Sequence, residues 1–164
     1  MKIRVIPALV FAGLAASALP LTAQTPTSDD WCQNEGRNND REAVCQVRQF
    51  TVTAAGPLSV DAQPNGGIDV RGGARNDVLV HAKVVAQAET QERAKQIADS
   101  VNVAATSDKI GATGPSGLGR REGWSVSYRL WVPTVSSLSL NTTNGGIAVR
   151  DVDGEIDFKT VNGG

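Results

Sequence analysis

The chain has 164 residues and a mass of 17.2 kDa, room for one ordinary domain with one sizeable core and not for a multidomain machine. Sixteen Lys+Arg against seventeen Asp+Glu give a formal net charge of -1, so there is no global basic field to recruit nucleic acid, and no nucleic-acid partner is expected. One His, one Met and two Cys leave few metal ligands and few imidazoles for acid–base work, while 17 Gly against three Trp, three Phe and one Tyr point to turns and small repeated packing units.

The N-terminus carries Lys2 and Arg4, an apolar stretch from Val5 to Leu19, and small residues at Thr22–Ala23. This is the layout of a secretory signal peptide over residues 1–23, with cleavage after Ala23 and a second candidate site after Ala18. An apolar run of about 15 residues containing Pro7 falls short of the roughly 20 that a spanning helix needs. No later segment is apolar enough to span, so no transmembrane segment is expected after cleavage. Export places Cys32 and Cys45 in an oxidising compartment, where a disulfide is the simplest expectation; closing so short a loop stabilises by about 3 kcal/mol in the chain-entropy picture. Residues 24–43 read as a flexible N-terminal segment holding the first cysteine, and residues 44–164 as the β-rich repeat domain.

Strands are predicted across Val44–Val52 and at Leu58–Val60, separated by a Gly56–Pro57 turn, and a third follows "PNGG" at Ile68–Val70. The stretch from Asp77 alternates, with Val78, Val80, Ala82 and Val84 on one face and Leu79, His81, Lys83 and Val85 on the other. One helix is predicted from Gln91 to about Val101, N-capped by Thr90, with Ala94, Ile97, Ala98 and Val101 as its apolar stripe and a Glu89–Arg93 pair across its first turn. Short strands follow at 101–105 and 109–112, then the loop "GATGPSGLGRREG". "WSVSYRLWVP" is a strong strand with Trp124, Val126, Tyr128 and Leu130 on one face and Trp131 on the other.

From position 135 the chain reads in blocks of nine: "VSSLSLNTT", "NGGIAVRDV", "DGEIDFKTV", then "NGG". Positions four and six hold Leu138 and Leu140, Ile147 and Val149, and Ile156 and Phe158. The turn pairs are Asn144–Gly145, Asp153–Gly154 and Asn162–Gly163, and an earlier copy, "NGGIDVRGG", begins at Asn65–Gly66. Asn, Asp and Gly tolerate positive φ, so each block supplies a tight turn and a short strand with one buried face, and only stacking on its equivalents can bury that face. The predicted fold is mainly β with one helix, its short-strand repeats stacked as a β-solenoid with Gly and Asn laddered at the corners. A β-sandwich or meander with one packed helix is the alternative. Ile147, Val149, Ile156 and Phe158 are expected inside, Ala148, Arg150, Asp157 and Lys159 outside, and Gly145 at positive φ. The array is expected to continue beyond "VNGG", a turn without its strand, and the exposed C-terminal edge is expected to self-associate.

The signal peptide, the "WC…C" near the mature N-terminus, the "NGGIDVRG" strand, the intervening helix and "SLSLNTTNGGIAVRDVDGEIDFKTVNGG" together resemble the bacterial putative-adhesin family, a domain of unknown function with NG-turn strands. The resemblance covers residues 44–164. It implies a β-rich, repeat-bearing protein of the periplasm, cell envelope or cell surface, and it supplies no catalytic residues.

The residues themselves supply none either. His81 lies in an alternating strand without an HExxH or GxSxG context, and the Gly-rich loop lacks the Lys–Ser/Thr of a phosphate-binding loop. The corners Asn144, Asp153 and Asn162 differ from the carboxylate pattern of calcium-binding β-rolls. No catalytic, metal or cofactor site is therefore assigned. The expected function is that of a non-enzymatic exported adhesin or scaffold with an envelope, surface or glycan partner. The alternatives are a glycan-binding module using Trp131 and the outward charges Asp69, Arg71, Arg150, Asp157 and Lys159, and, further off, a β-helix carbohydrate-active enzyme.

Overall fold

A computed structural model describes residues 30–33, 35 and 41–164; residues 1–23, expected to be a signal peptide, and most of the segment 24–40 lie outside the described residues. Ten strands form two mixed five-stranded sheets. The first sheet runs β1 (Glu42–Thr53), β4 (Asp77–Ala88), β7 (Gly123–Pro133), β3 (Ile68–Gly73) and β9 (Ile147–Arg150). The second runs β10 (Ile156–Lys159), β8 (Leu138–Asn141), β2 (Leu58–Asp61), β6 (Lys109–Thr113) and β5 (Asn102–Ala105). The described residues are thus mainly β, with one α-helix, α1 (Gln91–Ser100).

One alternating face of β4 and of β7 is buried, although Trp124, expected on that face of β7, is only half-buried. Val78, Val80, Ala82, Val84 and Ala86 of β4 and Val126, Tyr128, Leu130 and Val132 of β7 share one core with Leu58, Val60, Leu138 and Leu140 of the opposite sheet. The helix lies beside the second sheet and covers β4 and β1, burying Ala94, Ile97 and Ala98. Thr90 caps its start by accepting the Arg93 N–H at 3.2 Å. At the other end Arg48 of β1 donates to the carbonyls of Ala98 and Val101, placing a cation where the helix dipole and the last carbonyls are negative. The expected Glu89–Arg93 pair does not form. Glu89 lies before the cap, and Arg93 turns instead to Glu122, at 2.7 and 3.1 Å.

The repeats stack in parallel. Leu58, Leu138 and Ile156 are direct partners across β2, β8 and β10, as are Val60, Leu140 and Phe158, while Ile68 pairs with Ile147 and Val70 with Val149 across β3 and β9. Consecutive blocks therefore fall in opposite sheets, and each stacks on the block two along. The insertion between the copy at Asn65 and the block at 135 supplies β4, α1, β5, β6 and β7, which extend both sheets on the other side of β2 and β3.

The corners carry backbone against backbone. A Cβ on Gly145 would lie 2.1 Å from the Gly66 carbonyl oxygen, and one on Gly163 would lie 2.1 Å from that of Gly145. Positive φ, the property expected of Gly145, is found among these corner glycines only at Gly154; at Gly145 the requirement is the close approach itself. Burial also differs from expectation at the far end. Ile147, Val149 and Ile156 are half-buried, and Phe158 is 69% exposed. It is in register with Val60 and Leu140, but β10 is the edge strand of its sheet.

Gly145→Val should lower stability to urea by about 2 kcal/mol or more. Gly73→Ala should cost little, because nothing lies within 4 Å of a Cβ there. Equal losses for the two variants would remove the close-packed corner.

Candidate functional site

The N-terminal staple lies on the outer face of the first sheet. Cys32, in a 3-10 turn at Asp30–Cys32, is disulfide-bonded to Cys45 of β1 with Cα atoms 5.7 Å apart. Beside it the Trp31 ring takes the Arg129 guanidinium at 4.0 Å from its centroid and the Lys83 ammonium at 5.1 Å. Lys83 also pairs with Glu35 at 2.5 Å. A cation over an aromatic face adds about 0.5–1 kcal/mol at exposed sites, so the staple is held by more than its covalent bond.

Further along this face Trp131, half-buried, meets His81 edge-on with ring centroids 4.8 Å apart. His81 occupies the half-buried strand position expected of it. Asp69 accepts from Arg150 at 2.7 Å and lies 3.6 Å from Arg71, so three of the outward charges form one cluster. Asp157 and Lys159 belong to β10 in the other sheet. The charged row read from the sequence is therefore divided between two faces.

The corners hold hydrogen-bond ladders. Asn144 Nδ2 donates to Asn65 Oδ1 and Asn162 Nδ2 to Asn144 Oδ1, both at 2.8 Å. Thr142, fully buried, donates to the Gly66 carbonyl at 2.7 Å, and Thr160 repeats the contact on Gly145 at 3.2 Å. Asp153 lies at another corner, bridged to Val135, so Asn144, Asp153 and Asn162 do not converge. Among the described residues no group of three or more His, Cys, Asp or Glu side chains is placed to hold a metal ion.

Beside the helix N-terminus Glu89, Arg93 and Gly119 to Glu122 line a cleft of about 720 Å³. Its charges answer one another: Arg93 holds Glu122, and Arg121 lies 3.6 Å from Glu89. The hydrogen bonds from Arg93 and from the Gly119 N–H hold the Glu122 carboxyl below its ordinary range. The Gly-rich loop is thus tied down, with Trp124 Nε1 donating to the Pro115 carbonyl at 3.1 Å as a further anchor.

On the outer face of the second sheet two adjoining grooves of about 380 Å³ each share Asp61 and Lys109. Of this surface, sequence reading named only the outward charges Asp157 and Lys159, because its residues come from five strands separated by as many as 100 positions and carry no motif. The available signal was the polar residue between the two apolar positions of each repeat: Ser59, Ser139 and Asp157 fall in one cross-strand row, and Asp61, Asn141 and Lys159 fall in the next.

No protein-family model matches the sequence, and no curated protein matches it. Two solved structures resemble the fold distantly. A putative cell adhesion protein from Clostridium sporogenes ATCC 15579 is 9% identical with a TM-score of 0.43, over 71% of this chain and 58% of that one. A putative adhesin from Parabacteroides distasonis ATCC 8503 is 6% identical with a TM-score of 0.35, over 70% of this chain and 54% of that one. The chain thus spans little more than half the length of either protein, and identities this low carry no residue-by-residue correspondence.

Because the folded-state pKa of Glu122 is depressed, its contribution is present above the unfolded carboxylate range and is lost as pH falls through the folded value. The Gly119 amide should keep its hydrogen-exchange protection through the ordinary carboxylate range and lose it only as pH falls below that range, through the depressed folded value of Glu122. In Glu122→Gln that protection should be weak and flat with pH. Unchanged protection in the acid-titrated parent would contradict the tether.

Proposed function

We propose that the chain is an exported, non-enzymatic protein of the bacterial envelope or surface, acting as an adhesin or scaffold through the outer faces of a two-sheet β coil. Each turn of the coil is two nine-residue blocks. The observation that carries the reading is the in-register parallel stack with its asparagine ladder. Such a stack gives a stiff body that repeats its outward side chains at the strand spacing of about 4.8 Å. The disulfide between Cys32 and Cys45 supports export. No helix among the described residues is long and apolar enough to cross a membrane.

The edge strands β9 and β10 support a second mode of contact. Phe158, Val135 and Val161 are 69%, 79% and 62% exposed, and unpaired strand edges template association. Self-association of this chain through that edge is part of the proposal. Trp131 is a secondary candidate for a ligand surface.

Expression in a bacterial host with residues 1–23 present should yield protein cleaved after Ala23, recovered outside the cytoplasm, with both thiols refractory to maleimide until reduced. Cytoplasmic protein that keeps its leader and labels at Cys32 and Cys45 would contradict export. Light scattering should show concentration-dependent association that Phe158→Ser weakens, and a monomer at every concentration would remove the edge contact.

A further inference from the structure

Gly111 sits inside β6 on the outer face of the second sheet, and nothing in the packing demands a glycine there. It is not at positive φ, and a Cβ would find no atom nearer than the Asp61 carbonyl oxygen at 3.8 Å. A glycine inside a strand weakens it and commonly marks a place where another backbone or a ligand approaches closely. Among the described residues no backbone approaches here. Gly111 is instead a lining residue of the groove between β5 and β2, and its missing side chain keeps the floor of that groove low.

The groove continues past Asp61 and Lys109 onto β8 and β10, so it crosses the strands and follows the stacking direction. Its walls carry amide, hydroxyl, carboxylate and ammonium groups beside the apolar Ala104, Ala112, Leu140 and Phe158. Asn141 is half-buried among the lining residues, and its Oδ1 is buried within the protein without a hydrogen-bond partner. Two carboxylates, Asp61 and Asp157, face two ammonium groups, Lys109 and Lys159, so the lining is neutral as a whole and offers no excess cation to a polyanion. A peptide adding to a sheet binds along a strand edge, whereas this groove crosses the face of the sheet, where the backbone groups are already paired.

We infer that this transverse groove binds an uncharged polysaccharide, laid across β5, β6, β2, β8 and β10 with its hydroxyls bonded to the alternating polar rows. The strand spacing of about 4.8 Å is close to the length of one pyranose residue, so successive sugars meet successive strands. This inference rests on the proposed role of the outer faces in binding, and it places the ligand on the face opposite Trp131.

The test is affinity electrophoresis of the purified, oxidised chain in native gels containing laminarin, dextran or galactomannan, with alginate as the charged counterpart. At least one neutral polysaccharide should retard the protein. Gly111→Tyr, which fills the groove floor, and Asn141→Ala should each weaken that binding about tenfold or more, while Trp131→Ala should leave it unchanged. Thermal melting of each variant confirms that it is folded. Retardation by none of the neutral polymers, retardation by alginate alone, or loss on Trp131→Ala with Gly111→Tyr unaffected would overturn the inference. Because the assay uses purified protein, its failure is distinct from a failure of export.

Discussion

Backbone meets backbone at the Asn-Gly-Gly corners, and the rest of the stack is arranged around that contact. With Gly66, Gly145 and Gly163 superposed so tightly that a Cβ would fall 2.1 Å from a carbonyl oxygen, one register places every following residue. Ile147 lands beside Ile68 and Asn144 beside Asn65. A shift of one residue would turn the whole apolar set outward, and a shift of two would bring side chains into the glycine column. Buried Thr142 adds a directional bond to the Gly66 carbonyl, in a place where an unpaired acceptor would be costly.

That constraint also shapes the two outer faces. The side chains between the apolar positions are forced outward in straight rows, giving two broad faces of different character. One is covered in part by the disulfide staple, Trp31 and the Asp69 cluster. The other is grooved and lined by polar, balanced charged and apolar residues. Burial fades towards β10, the edge strand, where Ile156 is half-buried and Phe158 is 69% exposed.

Much of the architecture was legible because it is local. Alternation marked β4 and β7, the Thr90 cap and the 3.6-residue stripe marked α1, and the period of nine marked β8, β9 and β10. The period did not say that alternate blocks belong to opposite sheets, because a turn residue specifies that the chain turns and not which strand it meets next. Long-range partners were equally hidden. Arg48 reaches the end of a helix about fifty residues away, and Arg93 prefers Glu122, 29 residues on, to the nearby Glu89. Gly145 showed that the right residue can be read for the wrong reason, since crowding rather than backbone twist requires it. The groove was the least legible feature, because it depends on side chains that are small or missing, Gly111 above all.

The parallel corner stack is tested most directly by a double-mutant cycle in urea with Asn65→Ala and Asn144→Ala, residues that are 79 positions apart and joined by a 2.8 Å hydrogen bond. The stack predicts a coupling of about 0.5 kcal/mol for this pair and none for Asn144 with Asp153, which lies at a different corner. Additive losses at Asn65 and Asn144, or an equal coupling in both pairs, would contradict it.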